Sequence, residues 1–569
     1  MADLPEATIQ VDDEASALAS GTDILTVLAC VERNDDVLPR VFSSTRALLE
    51  QHGYSEGIDY CALHFEETGK PVIFIGLPKA VAGSIGRVDT SGNTGSSAVS
   101  VAAGASGILD DAEGHVTVAV GGTVGTDQIQ LDLSLDGGET SKRIRIGTAT
   151  TYTVPYHGHV LTLGAGTLAA GDVVLTYSAK APRWDSAGIT AARTVLAGQQ
   201  KQSRSWLVIG DLVEEQDASD VLTAINAYAT VNDRCSLARV QVRDYAPAGV
   251  VSGTPTLTFA EVGATGDTIT RSAGSWITDG FIPGMVITVA GTVSNNVTGP
   301  ISSLTATVLT MGTTDLVAEG PVAGTVTASA ELDSSWVADI ESEFEGIAAA
   351  PRIDIAAGRV YRKSPITQWK AARPAAWAIS VREYGPHDVQ VPTWRKEDGP
   401  LAGWSLENAA GEAVMHDERV DGGLLLAGFS CLRTYANGPS GTFVAMSLTR
   451  AVDSSLLSRT HNMHVANIAC NVAQAETENA IGMVLELNTN GTGTEASLKL
   501  LEERVNTALA INLLQRRSDG PRASDAKWVA SRSDILNVPG AELNGVLDLR
   551  LNGTIEKIHT RVRVVTAGG

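Results

Sequence analysis

A strand–helix–strand rhythm that stops and later resumes constrains this chain more than any other feature. From Asp23 the run DILTVLAC reads as a buried strand. Ser43 or Ser44 then caps a helix through Ala47, Leu48 and Leu49 that ends near Gly53. Pro71-Val-Ile-Phe-Ile-Gly76 is a second apolar strand. Two such strands around a helix call for a crossover connection and favour an α/β unit. The rhythm breaks after residue 81 and returns at Pro182-Arg-Trp184. A helix over about 186–200 and a strand from Trp206 to Ile209 follow. Next comes a helix from Asp217 to Ala229, with Val221, Leu222, Ile225 and Tyr228 on one face, then a strand from Leu237 to Val242. One domain is therefore interrupted, and both ends of the interruption must lie close together.

The interrupting residues, 82–180, are glycine-punctuated alternating strands. They run from His115 to Val120, Gln128 to Leu135, Arg143 to Ile146, Val160 to Leu163 and Val173 to Tyr177, with Asp136-Gly137-Gly138 as a hairpin turn. A second interruption, about 248–332, is rich in Thr, Val and Gly and holds one basic residue, Arg271. Its alternating pieces, Met285 to Val289 and Ala306 to Thr310, predict a small sandwich or barrel serving as an outward decoration.

A helical run from Ser335 and a strand from Arg352 to Ile355 return to the core. The chain to Pro400 is basic and tryptophan-rich, followed by apolar strands Leu424 to Tyr435 and Thr442 to Leu448. Two long helices are expected over about 462–485 and 495–515. Thr492 with Glu495 has capping-box spacing for the second, whose apolar stripe is Leu498, Leu501, Val505, Leu509 and Leu513.

Both extremities carry strand-like runs. Thr8, Ile9 and Val11 lie in a short strand within an acidic leader. Leu547, Leu549 and Leu551 alternate with Asp548 and Arg550. Asn552-Gly553 is a tight-turn dipeptide, and Val562 and Val564 belong to a second alternating run. Terminal strands with few local partners must dock into their own domain, add to a neighbour's sheet, or remain sticky edges. The fold class expected is an α/β (α+β) core, discontinuous in sequence, with two inserted all-β domains and terminal strand arms. Its parts are an arm 1–20, a core from 21–81 plus 181–247, insertions 82–180 and 248–332, a core and C-terminal domain 333–545, and a strand arm 546–569.

Charge and composition exclude some functions. The net charge of −23 resides almost entirely in residues 1–340, with 39 acidic and 18 basic side chains against 26 and 24 in 341–569. No basic stripe exists to displace counterions from phosphates, so nucleic acid is not an expected partner. No apolar run of roughly 18 residues offers membrane insertion, and the opening MADLPEATIQVDDEAS lacks a secretory pattern, so a cytoplasmic destination is expected. The five widely spaced cysteines read as buried thiols, with intersubunit disulfides left open.

No catalytic, cofactor or metal site is expected. GxxxxGK[ST], HExxH and GxSxG are all missing from the sequence. His157 and His159 have a strand spacing that can bind metal but lack a third ligand nearby. Asp110, Asp111 and Glu113 read as a solvated loop, with weak cation binding as the minor alternative, and His461 with His464 as surface or interface residues. Trp369 and Trp377 are assigned to core packing.

Read in order, the layout resembles the tail sheath proteins of contractile-tailed bacteriophages of the Mu-like kind. The residues that carry it are Trp369-Lys-Ala-Ala-Arg-Pro-Ala-Ala-Trp377, the stretch LLLAGFSCLRTYANGPSGTFVAMSLTRA (424–451), the helix pair with the closing strands, and the stretch His157 to Asp172. The resemblance implies a non-enzymatic virion tail subunit, assembled in the host cytoplasm without cofactor. It would form stacked hexameric rings around a tail tube protein, bounded by baseplate and tail terminator proteins. Its terminal arms would add strands to neighbouring copies while the lattice contracts. Arg516, Arg517, Arg522 and Lys527 then read either as a solvent-facing helix end and loop or as a cationic wall facing the tube. The sheath of a phage-tail-like bacteriocin or injection system fits the same residues, and a β-rich receptor-binding tail protein is the reading from another class.

Overall fold

The computed structural model describes residues 24–199, 203–231, 234–245, 249–251, 254–262, 266–276, 279–281, 285–312, 316–329, 333–384, 392–406, 423–435, 440–452, 455–480, 485–515, 521–532, 543 and 545–552. These divide into two compact units, one from the residues up to Tyr384 and from 393 to 452, the other from 455 onward.

The first unit is built on a mixed six-stranded sheet. Its strands are β1 (Ile24–Cys30), β2 (Arg40–Phe42), β3 (Val72–Leu77), β4 (Ser203–Leu212), β5 (Leu237–Val242) and β6 (Ile353–Ala356), in the order β2-β3-β1-β4-β5-β6. All pairings are parallel except that of β2 with β3. Every residue of β1, β3, β5 and β6 is buried, as expected of parallel strands covered on both faces. Helix α1 (Thr45–His52) starts at Ser44, whose hydroxyl accepts from the Ala47 N–H at 3.4 Å. Helix α2 (Glu56–Thr68) completes the crossover from β1 to β3 and ends at Gly69 in the left-handed conformation. It lies so close to β1 that a Cβ on Gly57 would come within 2.2 Å of the Ala29 methyl carbon. Helices α3 (Ser186–Ala197), α4 (Glu215–Thr230) and α5 (Asp333–Glu343) complete the remaining connections.

Residues 84–180 form antiparallel β-structure between β3 and β4. A five-stranded sheet lies beside a three-stranded one, and Ala112–Val120 alternates between buried and more exposed positions. Its neck is closed by two backbone bonds between Val81 and Arg183, at 3.0 and 2.9 Å. The second β-region connects β5 to α5 through an eight-stranded arrangement with its own core around Phe259, Trp276, Ile287 and Leu309. Its first and last strands pair at Gly249 opposite Ala328.

The first insertion is locked to the sheet domain by buried ions. Arg373 lies just before α6 (Ala375–Tyr384) and donates to Asp110 at 2.5 and 3.0 Å and to Asp59 of α2 at 2.7 Å. Tyr54 donates to Asp110 at 2.6 Å and Ser364 to Asp59 at 2.5 Å. All five side chains are buried. Asp110 is thus no part of a solvated loop. Asp111 too is engaged, accepting from Lys180 at 2.9 Å and from the Ala181 N–H at 2.8 Å where the insertion returns to the core. A second buried guanidinium, Arg239 of β5, bonds Asp354 at 2.7 Å, Ser380 at 2.9 Å and Ser447 at 3.0 Å, and also Glu383.

Several boundaries differ from the sequence expectation. Residues 333–384 and 393–452 belong with the first unit, because β6 is hydrogen-bonded to β5. The expected long strands 424–435 and 442–448 shrink to Cys431–Arg433 and Phe443–Met446, with Leu424 to Gly428 in turns.

His157 and His159 are buried, and among the described residues no three His, Cys, Asp or Glu side chains converge as metal ligands. Burial pushes His157 down to about 4 and His159 to about 3, so both are neutral when folded. A folded value below the ordinary 6.5 means that their contribution is complete above that pH and is lost as pH falls through about 4. His157→Leu should flatten the pH dependence of urea unfolding between those limits. Arg373→Met leaves two carboxylates buried without a cation and should cost about 3–5 kcal/mol in the same assay. Adding Asp110→Asn should recover part of that loss.

Candidate assembly interface

The second unit pairs helices α7 (Thr460–Glu478) and α8 (Glu495–Leu509) with a two-stranded antiparallel sheet, β7 (Ala523–Ala530) and β8 (Gly545–Leu551). Helix α8 is capped by Thr494, whose hydroxyl accepts from the Ser497 N–H at 3.4 Å, rather than by Thr492. Its stripe Leu498, Leu501, Val505, Leu509 and Leu513 is wholly buried, and the last turn widens to π geometry over Ala510–Leu514. His461 and His464 are buried in the first turns of α7, not surface residues.

The sheet divides its residues by face. Ala526, Trp528 and Ala530 of β7, with Leu547, Leu549 and Leu551 of β8, belong to the apolar core against the helices. On the other face Lys527 stands opposite Asp548 and Asp525 opposite Arg550. Opposite charges across the strands favour this register, and a one-residue slip would turn the leucines to solvent.

The two outer edges of the sheet differ. On β7 the Asn506 amide donates to the Trp528 carbonyl at 3.0 Å and accepts from its N–H at 2.7 Å. Glu502 accepts from the Ala530 N–H at 3.0 Å. Arg532 in turn holds Glu502 and Glu495, and its hydrogen bonds keep both carboxyls below their ordinary range. That edge is closed by α8. The edge of β8 is not: among the described residues no strand other than β7 is hydrogen-bonded to it. Since the Trp528 backbone points away from β8, antiparallel alternation makes the opposed Leu547 point away from β7, and Leu549 and Leu551 with it. Three residues therefore offer N–H and C=O groups in a row, a template for one more strand.

Leu547, Leu549 and Leu551 are thus stitched into their own unit instead of forming a detached arm. The reason is local: Ala526 and Trp528 supply the partner strand. Thr8, Ile9, Val11, Val562 and Val564 lie outside the described residues, as do Arg516 and Arg517. Arg522 is buried and Lys527 is exposed opposite Asp548, so the two described members of the basic group form no joint cationic patch. Sequence reasoning missed Asn506 and Glu502, whose role depends on a strand about twenty residues away. No helix among the described residues is long and apolar enough to cross a membrane.

No protein-family model matches the chain, and no curated protein does. Among solved structures, the chain is similar to a sheath tail protein from Listeria innocua at 10% identity and a TM-score of 0.39, covering 91% of each chain. It is also similar to a sheath tail protein from Desulfitobacterium hafniense at 8% identity and a TM-score of 0.39, covering 96% of this chain and 100% of that one.

Proposed function

We propose that this chain is the structural subunit of a contractile tail sheath. Copies would polymerise as stacked hexameric rings around a tail tube and shorten to drive the tube through a host envelope. The observation that carries this reading is the asymmetric β7–β8 sheet, one edge sealed by α8 and the other bonded to no further strand among the described residues. A strand from the terminus of a neighbouring copy would complete it, each ladder bond contributing about 0.5–1.5 kcal/mol net. The segments assigned as donors are those holding Thr8, Ile9 and Val11 and, beyond Asn552, Val562 and Val564. Lattice contraction would draw on metastable packing, so the reading assigns the chain no catalysis and no cofactor. The tail tube, baseplate and terminator proteins are its proposed partners, and the virion tail its proposed location after assembly in host cytoplasm.

The same geometry serves the sheath of a bacteriocin-like or injection particle. The receptor-binding alternative draws on the second β-region, which has a core of its own. Electron microscopy separates the classes, because a sheath gives ordered helical tubes and a fibre gives isolated trimers.

Deleting residues 553–569 leaves β7 and β8 intact, and should give a folded protein that forms no long tubes in negative stain. Leu549→Pro removes one outward N–H from the open edge and should shorten tubes in the same way. Normal tubes from both variants would overturn strand exchange as the joint.

A further inference from the structure

The first unit contains a cavity of about 700 Å³ that the assembly reading does not use. It opens beyond the carboxyl ends of β4 and β5, which supply Asp211 and Asp244, and Glu56 of α2 also lines it. The remaining walls come from the two β-insertions. Crevices at the carboxyl ends of parallel strands are where α/β sheets bind ligands, and the volume is that of a small-molecule site.

The lining charges are unequally matched. Lys180 pairs with Asp111 at 2.9 Å, Arg183 with Asp217 at 2.5 Å and Arg243 with Glu343 at 3.3 Å. Arg359, behind the wall, pairs with Asp211 and, at 3.4 Å, with Asp244. Glu56, Glu113 and the exposed Arg87 remain. Glu56 is nine-tenths buried; one of its oxygens receives the Asp111 N–H at 3.4 Å and lies 4.0 Å from Arg373, which is already committed to two aspartates. Its second oxygen has no hydrogen-bond partner among the described residues. Glu113 is exposed to the cavity yet ringed by its walls, and its carboxylate has no hydrogen bond among the described residues. Burial holds Glu56 well above its ordinary range and lifts Glu113 to about 7, with Asp111 adding to both and Lys180, ahead of Arg87, opposing the shift at Glu113.

We propose that this cavity binds a small linear polyamine, with ammonium groups at Glu56 and Glu113 and its methylene chain along Tyr177, Tyr245 and Phe281. These three aromatic residues line the same space. Glu56 sits on α2 and Glu113 on the strand Ala112–Val120, and carboxylates on different elements suit a molecule whose charges are spaced along a chain. A single metal ion needs oxygens that converge, and none of these groups do so among the described residues. An anion would meet unpaired carboxylates. The site belongs to the first unit and does not depend on the assembly reading.

Spermidine titrated calorimetrically into the full-length protein at about 0.15 M salt should bind saturably, with one high-affinity site per chain. Glu113→Gln and Glu56→Gln, both isosteric, should each weaken that site on the order of tenfold, about 1.4 kcal/mol. Magnesium chloride at equal ionic strength should not displace the ligand. Thermal unfolding of the unliganded variants keeps the test valid, since two folded variants that bind like the parent would overturn the proposal. Binding that is unsaturable, or that magnesium abolishes, would overturn it as well, by reducing it to attraction to an acidic surface.

Discussion

Arg373 is the point on which the first unit depends. It stands between Asp59, on a helix of the sheet domain, and Asp110, just before the strand Ala112–Val120 of the inserted β-structure, with no water-facing side of its own. Removing three charges from water carries a large penalty, and only well-formed hydrogen bonds from both carboxylates offset it. Tyr54 and Ser364 fill the remaining acceptor positions. An ionic cluster tolerates far less displacement than an apolar contact of equal area, so the insertion has one seat on its host. Arg239 does the same within the sheet domain, joining β5, β6 and α6.

How much of this was legible depends on the range of the interactions. The parallel strands announced themselves because burial on both faces makes β1 and β3 continuous apolar runs. The stripe of α8 was equally plain, since helical period and burial coincide from Leu498 to Leu513. Helix α2 was not read. It is buried almost all round and carries Glu56, Asp59 and His64 inside, so its polar residues mimic a loop. Asp110 misled for the same reason, because its guanidinium partner lies 263 residues away and no local pattern foreshadows it. Leu547, Leu549 and Leu551 were recognisable as a strand, but the identity of the strand beside them was not. Two-residue alternation says which face is apolar and is silent about which edge is paired.

The second unit illustrates how a fold protects one edge and leaves another available. Asn506 presents a side-chain amide to Trp528 with the donor and acceptor spacing of a backbone group, so α8 takes the place of a third strand on that side. On the far side, among the described residues, the backbone of β8 meets no such amide. The face of charged pairs, Lys527 with Asp548 and Asp525 with Arg550, tells an incoming strand little about sign but leaves its register to the leucines.

The closed neck of the second β-region has a different consequence. Gly249 and Ala328 are opposed in one ladder, which puts the departing and returning chain about 5 Å apart. To the sheet domain, some eighty residues of foreign architecture are topologically equivalent to a hairpin tip. Such a tip is a graft point: any cargo whose own ends meet at that spacing can be spliced there without asking the host backbone to change course, which makes this chain a natural scaffold for displaying one module per molecule.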